Sequence, residues 1–319
     1  MASRLATDLE VDTWRNEGWV LLDGLIDADE IDRVSEDLHQ LFPTPEEYHA
    51  DPDAVIRTWK GSLRHSEDDL IWPEDGPGFR GDQHLWTTAF PFPGSGTLNR
   101  MCVHPSVVDF AERALDTPDV RLYQTHATAA YSGLVNYEQP MHIDRNHSWI
   151  PPGSQAPWWN LEGFLYLSHV TEDDNPTRVV SKPDSAHVSE LTPILMPESD
   201  PELYRSEHRA TGGRGSYLAY RSNTFHRGAP FGAADRARFM LALAFKRAEQ
   251  DWIGYNQAQS QSTDGEWTTF AEQSTPRDLE LFGFPPPGHP IWNEDLLRTT
   301  ALRYPKLDLT PWRSALGTS

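Results

Sequence analysis

The sequence predicts a mainly β protein with flanking helices, and three observations support this prediction. Helical periodicity is found mostly before Val120. After that residue, short apolar stretches alternate with Gly, Pro, Asn and Asp, which is typical of β-strands and the turns between them. The first of these stretches, residues 120–131, carries Gln and His on a face that is otherwise expected to be buried. Polar groups there favour the interior or mouth of a barrel over a dry sandwich.

The first part of the chain predicts a helix, a strand and a second helix over residues 8–42. The strand is the apolar run at residues 19–24. Asp27 and Glu30 have the spacing of a capping box at the start of the second helix. Apolar residues then recur at helical period, at Ile31, Val34, Leu38 and Leu41. Residues 43–100 are rich in Pro, Gly and Trp, and they predict long loops with short elements.

The later elements also follow from local patterns. Strands are predicted at residues 120–131, 163–170, 178–181, 215–220, 224–228 and 238–245. The last strand is almost continuously apolar and is therefore expected to be central. In the first, alternation places one set of side chains on one face (Leu122, Gln124, His126, Thr128) and a second set on the other (Tyr123, Thr125, Ala127, Ala129). Helices are predicted at residues 105–115, 200–208 and 294–303.

The chain is predicted to form a single domain over residues 1–319. All-β barrels often exceed 200 residues as one unit, and neither an internal repeat nor a break in composition divides this sequence. Residues 10–248, approximately, form the predicted core with its N-terminal helical flank. Residues 249–319, approximately, are rich in aromatic residues and proline. This extension is too aromatic for a disordered tail, so it is expected to pack on the core.

Charge and cysteine content restrict the partners and the compartment. The formal net charge is −21, and Lys occurs only at positions 60, 182, 246 and 306. Such a chain repels nucleic acid and anionic membranes, so we expect neither as a partner. Cys102 is the one cysteine, which excludes an intramolecular disulfide and fits a reducing cytoplasm. The charged N-terminus predicts no signal peptide, and no apolar run approaches the ~18 residues of a membrane span.

The triplet His142-Ile143-Asp144 is a candidate for metal binding. Side chains two residues apart on a strand point to the same face, so this imidazole and this carboxylate can bind one ion from the same side. His226, far along the chain in NTFHRG, is the candidate third ligand. Two His and one carboxylate on one face of an octahedral ion leave three positions open, as in non-haem Fe(II) oxygenases.

Arg238 opens the predicted strand that follows His226. If 2-oxoglutarate chelates iron through its keto acid end, its distal carboxylate has to be bound inside the protein. A guanidinium pairs with a carboxylate through two parallel hydrogen bonds and stays charged when buried. The four residues together therefore offer both a metal site and a partner for the distal carboxylate of this co-substrate.

The sequence resembles the phytanoyl-CoA dioxygenase (PhyH-type) family of Fe(II)/2-oxoglutarate-dependent oxygenases over roughly residues 10–248. The resemblance rests on WRNEGWVLLDGLIDADEIDRV, HID, GFLYLSHVTEDDNPTRVVSKPDSAH, and HRGAP followed by DRARFML. It implies a double-stranded β-helix (jelly-roll, cupin-like) core, iron ligands at His142, Asp144 and His226, and a 2-oxoglutarate anchor at Arg238. Family members often carry a Gln near the co-substrate and substrate, on the strand before the metal triplet, and Gln124 occupies that place.

The sequence also departs from the family pattern. Ser185-Ala-His187 stands where the family usually has Gly-Ser-His or Gly-Thr-His. The loop after His226 is one residue longer than is common, which makes Arg236 a rival anchor, although the run DRAR matches the family and favours Arg238. Asp144 fills the position that related halogenases give to a small residue so that chloride can bind iron. Hydroxylation or another oxidative step is therefore favoured.

The resemblance implies a dioxygenase that uses Fe(II), 2-oxoglutarate and O₂ to hydroxylate a small-molecule metabolite, with release of succinate and CO₂. Three alternatives stay open: a non-catalytic metal- and small-molecule-binding cupin-like module, a cupin-type isomerase or hydrolase with another divalent metal, and an acyl-CoA hydroxylase. The last is disfavoured because CoA carries several phosphates and this chain is strongly negative. The aromatic segments at residues 59–92 and 149–159 are expected to form the substrate pocket and its lid.

Overall fold

The structure is a computed structural model that describes residues 3–52, 54–55, 85–133, 139–144, 156–189, 194–250, 253 and 265–316. The helices within these residues are α1 (Asp8–Glu17), α2 (Ala28–Leu41), α3 (Pro45–Ala50), α4 (Gly96–Met101), α5 (Pro105–Ala114), α6 (Pro201–Arg205), α7 (Gly265–Glu272), α8 (Pro276–Glu280), α9 (Glu294–Arg303) and α10 (Thr310–Ala315). The strands are β1 (Trp19–Leu22), β2 (Leu85–Ala89), β3 (Val120–Tyr131), β4 (Met141–His142), β5 (Leu161–Tyr166), β6 (Arg178–Val179), β7 (Ile194–Leu195), β8 (His208–Arg209), β9 (Tyr217–Arg221), β10 (His226–Arg227) and β11 (Ala237–Arg247).

The strands form two antiparallel sheets, so the prediction of a mainly β fold with flanking helices is confirmed. The six-stranded sheet has the order β1-β9-β5-β11-β3-β2, and the five-stranded sheet has the order β7-β4-β10-β6-β8. The apolar strand β11 lies between β5 and β3, which agrees with its predicted central position. No helix in the described part of the chain has both the length and the apolar character needed to cross a membrane.

The two faces of the six-stranded sheet have different neighbours. One face carries Leu161, Leu241 and Leu243 and packs with Trp14 of α1 and Phe110 of α5 in the main hydrophobic core. The opposite face carries a smaller cluster formed by Tyr166, Val170, Ala210, Leu218, Tyr220 and Met240. This face is called the inner face below, because its side chains contact the five-stranded sheet. The candidate site therefore lies between the two sheets.

A β-bulge in β3 changes one predicted face. The pairing of β3 with β11 shifts between Ala244, which faces Gln124, and Phe245, which faces Leu122. The extra residue places Leu122 in the core beneath the helices, while Tyr123 packs with Ala244 on the inner face. Strict alternation predicted Leu122 on the face of Gln124 and Tyr123 on the opposite face. That prediction was wrong, because a sequence pattern does not show where a strand contains an extra residue. The bulge thereby adds a phenol to the inner face.

The capping box predicted at the start of α2 is also wrong. Asp27 caps the helix by accepting a hydrogen bond from the Asp29 backbone N–H (2.9 Å). Glu30 does not return the bond, because its carboxylate accepts from the Ser3 hydroxyl (2.9 Å) and pairs with His104 (3.3 Å). Full capping boxes begin α1, α3 and α8 instead. The spacing alone did not reveal the competing tertiary partners.

The predicted bounds hold best for long elements. β3 and α9 have the predicted limits, whereas β6, β9, β10 and α6 are shorter than predicted or displaced. Short strands in the five-stranded sheet give few residues from which a period can be detected. Their bounds therefore depend on pairing with distant strands, which a local pattern does not contain.

Residues 265–316 contact the six-stranded sheet at β3 and at Phe90, the residue that follows β2. The Leu122 N–H of β3 donates to the Leu281 carbonyl after α8. The ring of Phe282 stacks on that of Phe90, with centroids 4.8 Å apart, and Trp267 and Phe270 pack edge-on around them. Aromatic burial thus holds this segment against the strands.

Candidate metal centre

His142 and His226 are direct cross-strand neighbours. His142 ends β4 and His226 begins β10, and the two residues face each other in the antiparallel register. Their ring centroids lie 4.4 Å apart. Asp144 follows His142 by two residues, and its backbone N–H donates to the Ser222 carbonyl (3.0 Å). This bond holds the segment after β4 in place, so that the carboxylate lies on the same side as both imidazoles.

The three side chains could hold one metal ion. One ligand atom from each of His142, Asp144 and His226 lies within 4.8 Å of the others. The Asp144 Oδ2 atom is 3.5 Å from the His226 Nε2 atom. Two imidazoles and one carboxylate form the facial donor set that suits a divalent iron. The structure thus brings together the three residues predicted from the triplet and the distant histidine.

The hydrogen bonds of both histidines orient them for metal binding. His142 Nδ1 lies 2.9 Å from the Pro140 carbonyl, and His226 Nδ1 lies 3.0 Å from the Thr224 carbonyl. A carbonyl only accepts, so each Nδ1 carries the proton and each Nε2 keeps its lone pair for a metal. Burial, with the neighbouring His226, lowers the pKa of His142 to about 4. The imidazole of His142 is therefore neutral near pH 7, as a ligand has to be.

Tyr220 on β9 is a functional candidate that the sequence did not reveal. Its hydroxyl donates to Asp144 Oδ2 (3.1 Å), and its ring lies 4.5 Å from that of His226. Burial and the nearby Asp144 raise the pKa of Tyr220 well above its ordinary value, so the hydroxyl stays a donor. The alternation of Leu218 and Tyr220 on β9 is the one local signal that could have placed this side chain on the inner face.

The two rival arginines lie in different surroundings. Arg238 is only 6% exposed, and its Nη1 donates to the backbone carbonyl and to the Oδ1 atom (2.7 Å) of Asn175. Arg236 has a side chain that is 43% exposed and lies 3.7 Å from the Asp174 carboxylate. Met240, two residues after Arg238 on β11, belongs to the inner-face cluster, so Arg238 points between the sheets. Arg238 is thus the buried arginine on the inner face, whereas the side chain of Arg236 is partly exposed.

Gln124 lies on the inner face of β3, opposite Ala244 in the register. Its Nε2 atom is 3.4 Å from His126 Nδ1. Its Oε1 atom is buried and has no hydrogen-bond partner among the described residues. A buried acceptor of this kind is normally satisfied by a partner, so Gln124 has capacity to bind a donor group between the sheets.

A buried polar cluster lies on the same face. The Tyr123 hydroxyl donates to the Glu162 carboxylate, and Asn160 Nδ2 donates to the Tyr123 oxygen (2.8 Å) and to Glu162 Oε1 (3.2 Å). Glu162 is 5% exposed and faces Tyr220 across the β5–β9 pairing. Burial and Glu162 raise the pKa of Tyr123 well above its ordinary value, so this phenol stays protonated. The part of the inner face around Glu162 is therefore polar rather than apolar.

Other predicted positions lie away from the centre or outside the described residues. His187 pairs with Asp200 (3.0 Å) on a part-exposed surface, and the Ser185 hydroxyl donates to the Ser181 carbonyl (2.8 Å) within a turn. Both contacts are local and structural. Residues 56–84 and 145–155, and with them most of the two aromatic segments predicted to form the pocket and lid, lie outside the described residues.

No known protein family matches the sequence, and no curated protein matches it either. Solved structures do match the fold. The epimerase SnoN, in complex with Fe3+, alpha ketoglutarate and nogalamycin RO, has a TM-score of 0.53 at 14% identity, over 81% of this chain and 90% of that one. The non-heme alpha ketoglutarate dependent carbocyclase SnoK from nogalamycin biosynthesis has a TM-score of 0.54 at 14% identity, over 82% and 93%. EvdO2 from Micromonospora carbonacea var. aurantiaca has a TM-score of 0.52 at 15% identity, over 80% and 100%.

These matches concern the fold. The chain shares its overall arrangement with non-heme alpha ketoglutarate dependent enzymes, and the similarity covers about four-fifths of it. The remaining fifth lies outside the shared arrangement, so the comparisons do not account for the whole chain. At this level of identity the function has to be argued from the residues of this chain.

Proposed function

We propose that this protein is an Fe(II)- and 2-oxoglutarate-dependent dioxygenase that oxidises a small molecule and releases succinate and CO₂. The observation that carries the proposal is the convergence of His142, Asp144 and His226, with both Nε2 atoms available to a metal. Arg238, buried on the inner face of the facing sheet, supplies the positive charge that a distal carboxylate needs. The similarity of fold to enzymes of this cofactor class supports the proposal.

The fold and its organisation are proposed on related grounds. We propose a double-stranded β-helix core of the phytanoyl-CoA dioxygenase type, because two antiparallel sheets face each other with the candidate ligands between them. We also propose that residues 1–319 form one domain. The shared hydrophobic core of α1, α5, the six-stranded sheet and the described C-terminal residues supports this view.

Each of these residues would have a separate role in binding the metal or the co-substrate. His142, Asp144 and His226 would hold the iron, and Tyr220 would orient the carboxylate of Asp144. Arg238 would pair with the distal carboxylate of 2-oxoglutarate, and Gln124 would hydrogen-bond near it. The bound iron and co-substrate supply the oxidising chemistry, while the protein positions the reactants and excludes water.

Hydroxylation is the outcome that we propose first, because Asp144 keeps the carboxylate ligand that halogenases lack. Two of the structures of similar fold are an epimerase and a carbocyclase, so stereochemical inversion and ring closure are the alternatives within the same chemistry. The net charge of −21 disfavours acyl-CoA.

The test is 2-oxoglutarate turnover by the full chain with Fe(II) under air, with succinate and O₂ consumption as readouts and with metabolite mixtures supplied as substrate. His142→Ala should abolish turnover and weaken binding of Mn(II), used as a redox-stable probe. The matched control is His187→Ala, because His187 pairs only with Asp200 in the described structure. Mass spectrometry of the product distinguishes the outcomes: hydroxylation adds one oxygen atom, ring closure removes two hydrogens, and epimerisation leaves the mass unchanged.

Three results would contradict the proposal. Binding of Mn(II) and 2-oxoglutarate without succinate formation across a broad substrate panel would favour a non-catalytic binding module. Turnover of a substrate without 2-oxoglutarate would favour an isomerase or hydrolase with another divalent metal. Equal activity of His142→Ala and the wild type would remove the metal centre from the mechanism.

A further inference from the structure

Neighbouring residues of one loop bind the two rival arginines. Asp174 and Asn175 lie between β5 and β6, and they contact Arg236 and Arg238 respectively. The partners of the two arginines differ in charge. The exposed arginine lies near a carboxylate, whereas the buried arginine donates to a neutral amide. The first contact joins a partly exposed arginine to a buried carboxylate, whereas the second orients a buried charged group whose direction matters.

Asn175 holds Arg238 through two acceptors at once. Its backbone carbonyl and its Oδ1 atom both accept from Nη1 of Arg238. The residue is 1% exposed and has φ of +54°, in the left-handed region that Asn adopts more readily than most residues. The left-handed conformation turns the carbonyl and the side-chain amide toward the same donor, so both acceptors of Asn175 meet one nitrogen of the guanidinium.

The loop that carries Asn175 is itself fixed. The Thr171 N–H donates to Asp174 Oδ2 (2.9 Å), and the Asp174 N–H donates to the Thr171 carbonyl (3.2 Å). The Gly232 N–H donates to the Asp173 carbonyl (3.0 Å), and a Cβ at Gly232 would overlap the Asp173 side chain. The turn is therefore closed on itself and joined to the loop between β10 and β11. Asn175 has little freedom to move, and Arg238 is held against it.

We propose that Asn175 is a positioning residue that aims Arg238 at the distal carboxylate of 2-oxoglutarate. This inference rests on the proposed function. An amide suits the task because it accepts a hydrogen bond without adding negative charge. An aspartate of the same shape would form a charge-assisted pair with Arg238 and would compete with the carboxylate of the co-substrate. The residue at position 175 would therefore determine how strongly Arg238 attracts the distal carboxylate of the co-substrate.

The test measures binding rather than turnover. The full chain is loaded with Mn(II) without O₂, and two probes are titrated by calorimetry. One probe is 2-oxoglutarate, and the other is 2-oxobutanoate, which keeps the keto acid end and lacks the distal carboxylate. For Asn175→Asp we expect about tenfold weaker binding of 2-oxoglutarate, which corresponds to about 1.4 kcal/mol, and 2-oxobutanoate affinity within about twofold of the wild type. Asn175→Gly keeps the backbone conformation and one acceptor, so a loss of about threefold is expected.

The controls separate this inference from the function on which it rests. Asn293→Asp adds the same charge at the exposed N-cap of α9 and should leave both affinities unchanged. Arg238→Met should abolish the preference for 2-oxoglutarate over 2-oxobutanoate. If Arg238→Met keeps that preference, the proposed co-substrate anchor fails and the role of Asn175 fails with it. If Arg238→Met loses the preference but Asn175→Asp binds 2-oxoglutarate like the wild type, only the role of Asn175 is overturned.

The thermal midpoint distinguishes positioning from folding. Asn175→Asp keeps the shape of the residue and adds a charge beside a guanidinium, so its Tm should be no lower than that of the wild type. A variant that loses 2-oxoglutarate affinity at an unchanged or higher Tm supports the inference. Equal loss of both probes in Asn175→Asp and Asn175→Gly would show a general structural role and would overturn it.

Discussion

Removal of the Tyr220 hydroxyl should weaken metal binding without removing a ligand. In Tyr220→Phe, Asp144 Oδ2 loses a donor at 3.1 Å, while the ring that lies 4.5 Å from His226 is kept. A hydrogen bond to a charged group contributes about 1.5–3 kcal/mol, and loss of partners that orient metal ligands typically reduces affinity by about 10–100-fold. Because Asp144 keeps its backbone bond to Ser222, we expect the lower end of this range, about tenfold.

The assay is calorimetric titration of the metal-free protein with Mn(II). Tyr166→Phe is the matched control, because this buried tyrosine also lies on the inner face but donates to the Ala210 backbone carbonyl (2.7 Å). Loss of the Tyr166 hydroxyl should lower the free energy of unfolding by about 1 kcal/mol and leave the affinity for Mn(II) unchanged. Equal Mn(II) affinity of Tyr220→Phe and the wild type would refute an orienting role for Tyr220.

Three further predictions concern stability and reactivity. Burial lowers the pKa of His142 from 6.5 to about 4, so the metal-free protein should lose about 3 kcal/mol of unfolding free energy as pH falls from about 7 to 4. Urea unfolding at several pH values should show this loss in the wild type and a smaller loss in His142→Asn. An equal pH dependence of the unfolding free energy in the two proteins would contradict the prediction. Burial raises the pKa of Cys102 to about 12, so Ellman's reagent should label it only in urea, and rapid labelling of the folded protein would contradict its burial. A Cβ at Gly163 would overlap the Tyr217 ring, so Gly163→Ala should lower the unfolding free energy by about 1–3 kcal/mol; an unchanged Tm would contradict this.

Two of the candidate metal ligands, His142 and Asp144, were accessible to sequence reasoning because their spacing follows from strand geometry. His142 and Asp144 lie two residues apart, so a strand places both on one face whatever the rest of the chain does. His226 was the candidate third ligand in the sequence, the family resemblance supported it, and the strand register places it opposite His142. The preference for Arg238 over Arg236 came from the run DRAR, which resembles the family pattern, and it stays a prediction; alternation does not separate positions 236 and 238.

The residues that support the site were not accessible in the same way. Tyr220 reaches Asp144 from the other sheet, and Asn175 reaches Arg238 from a loop, so neither contact has a local period. The bulge that brings Tyr123 to the inner face depends on pairing with β11. Glu30 likewise bonds Ser3 and pairs with His104 rather than capping its own helix. Each of these features is set by a partner distant in sequence, which the local pattern does not contain.

The placement of His142 opposite His226 has a consequence for how such a protein can change. The separation of the two backbones that carry the imidazoles is set by direct cross-strand pairing, which confines it to a narrow range in antiparallel sheets. The segment after Asp144 and the loop between β10 and β11 can therefore vary in length and composition while the two histidines keep their separation. Under the proposed function, substrate preference and metal binding would then evolve on separate parts of the chain. If the three residues hold a metal ion as proposed, a designer could exchange the loop between β10 and β11 and still expect the same ion to bind.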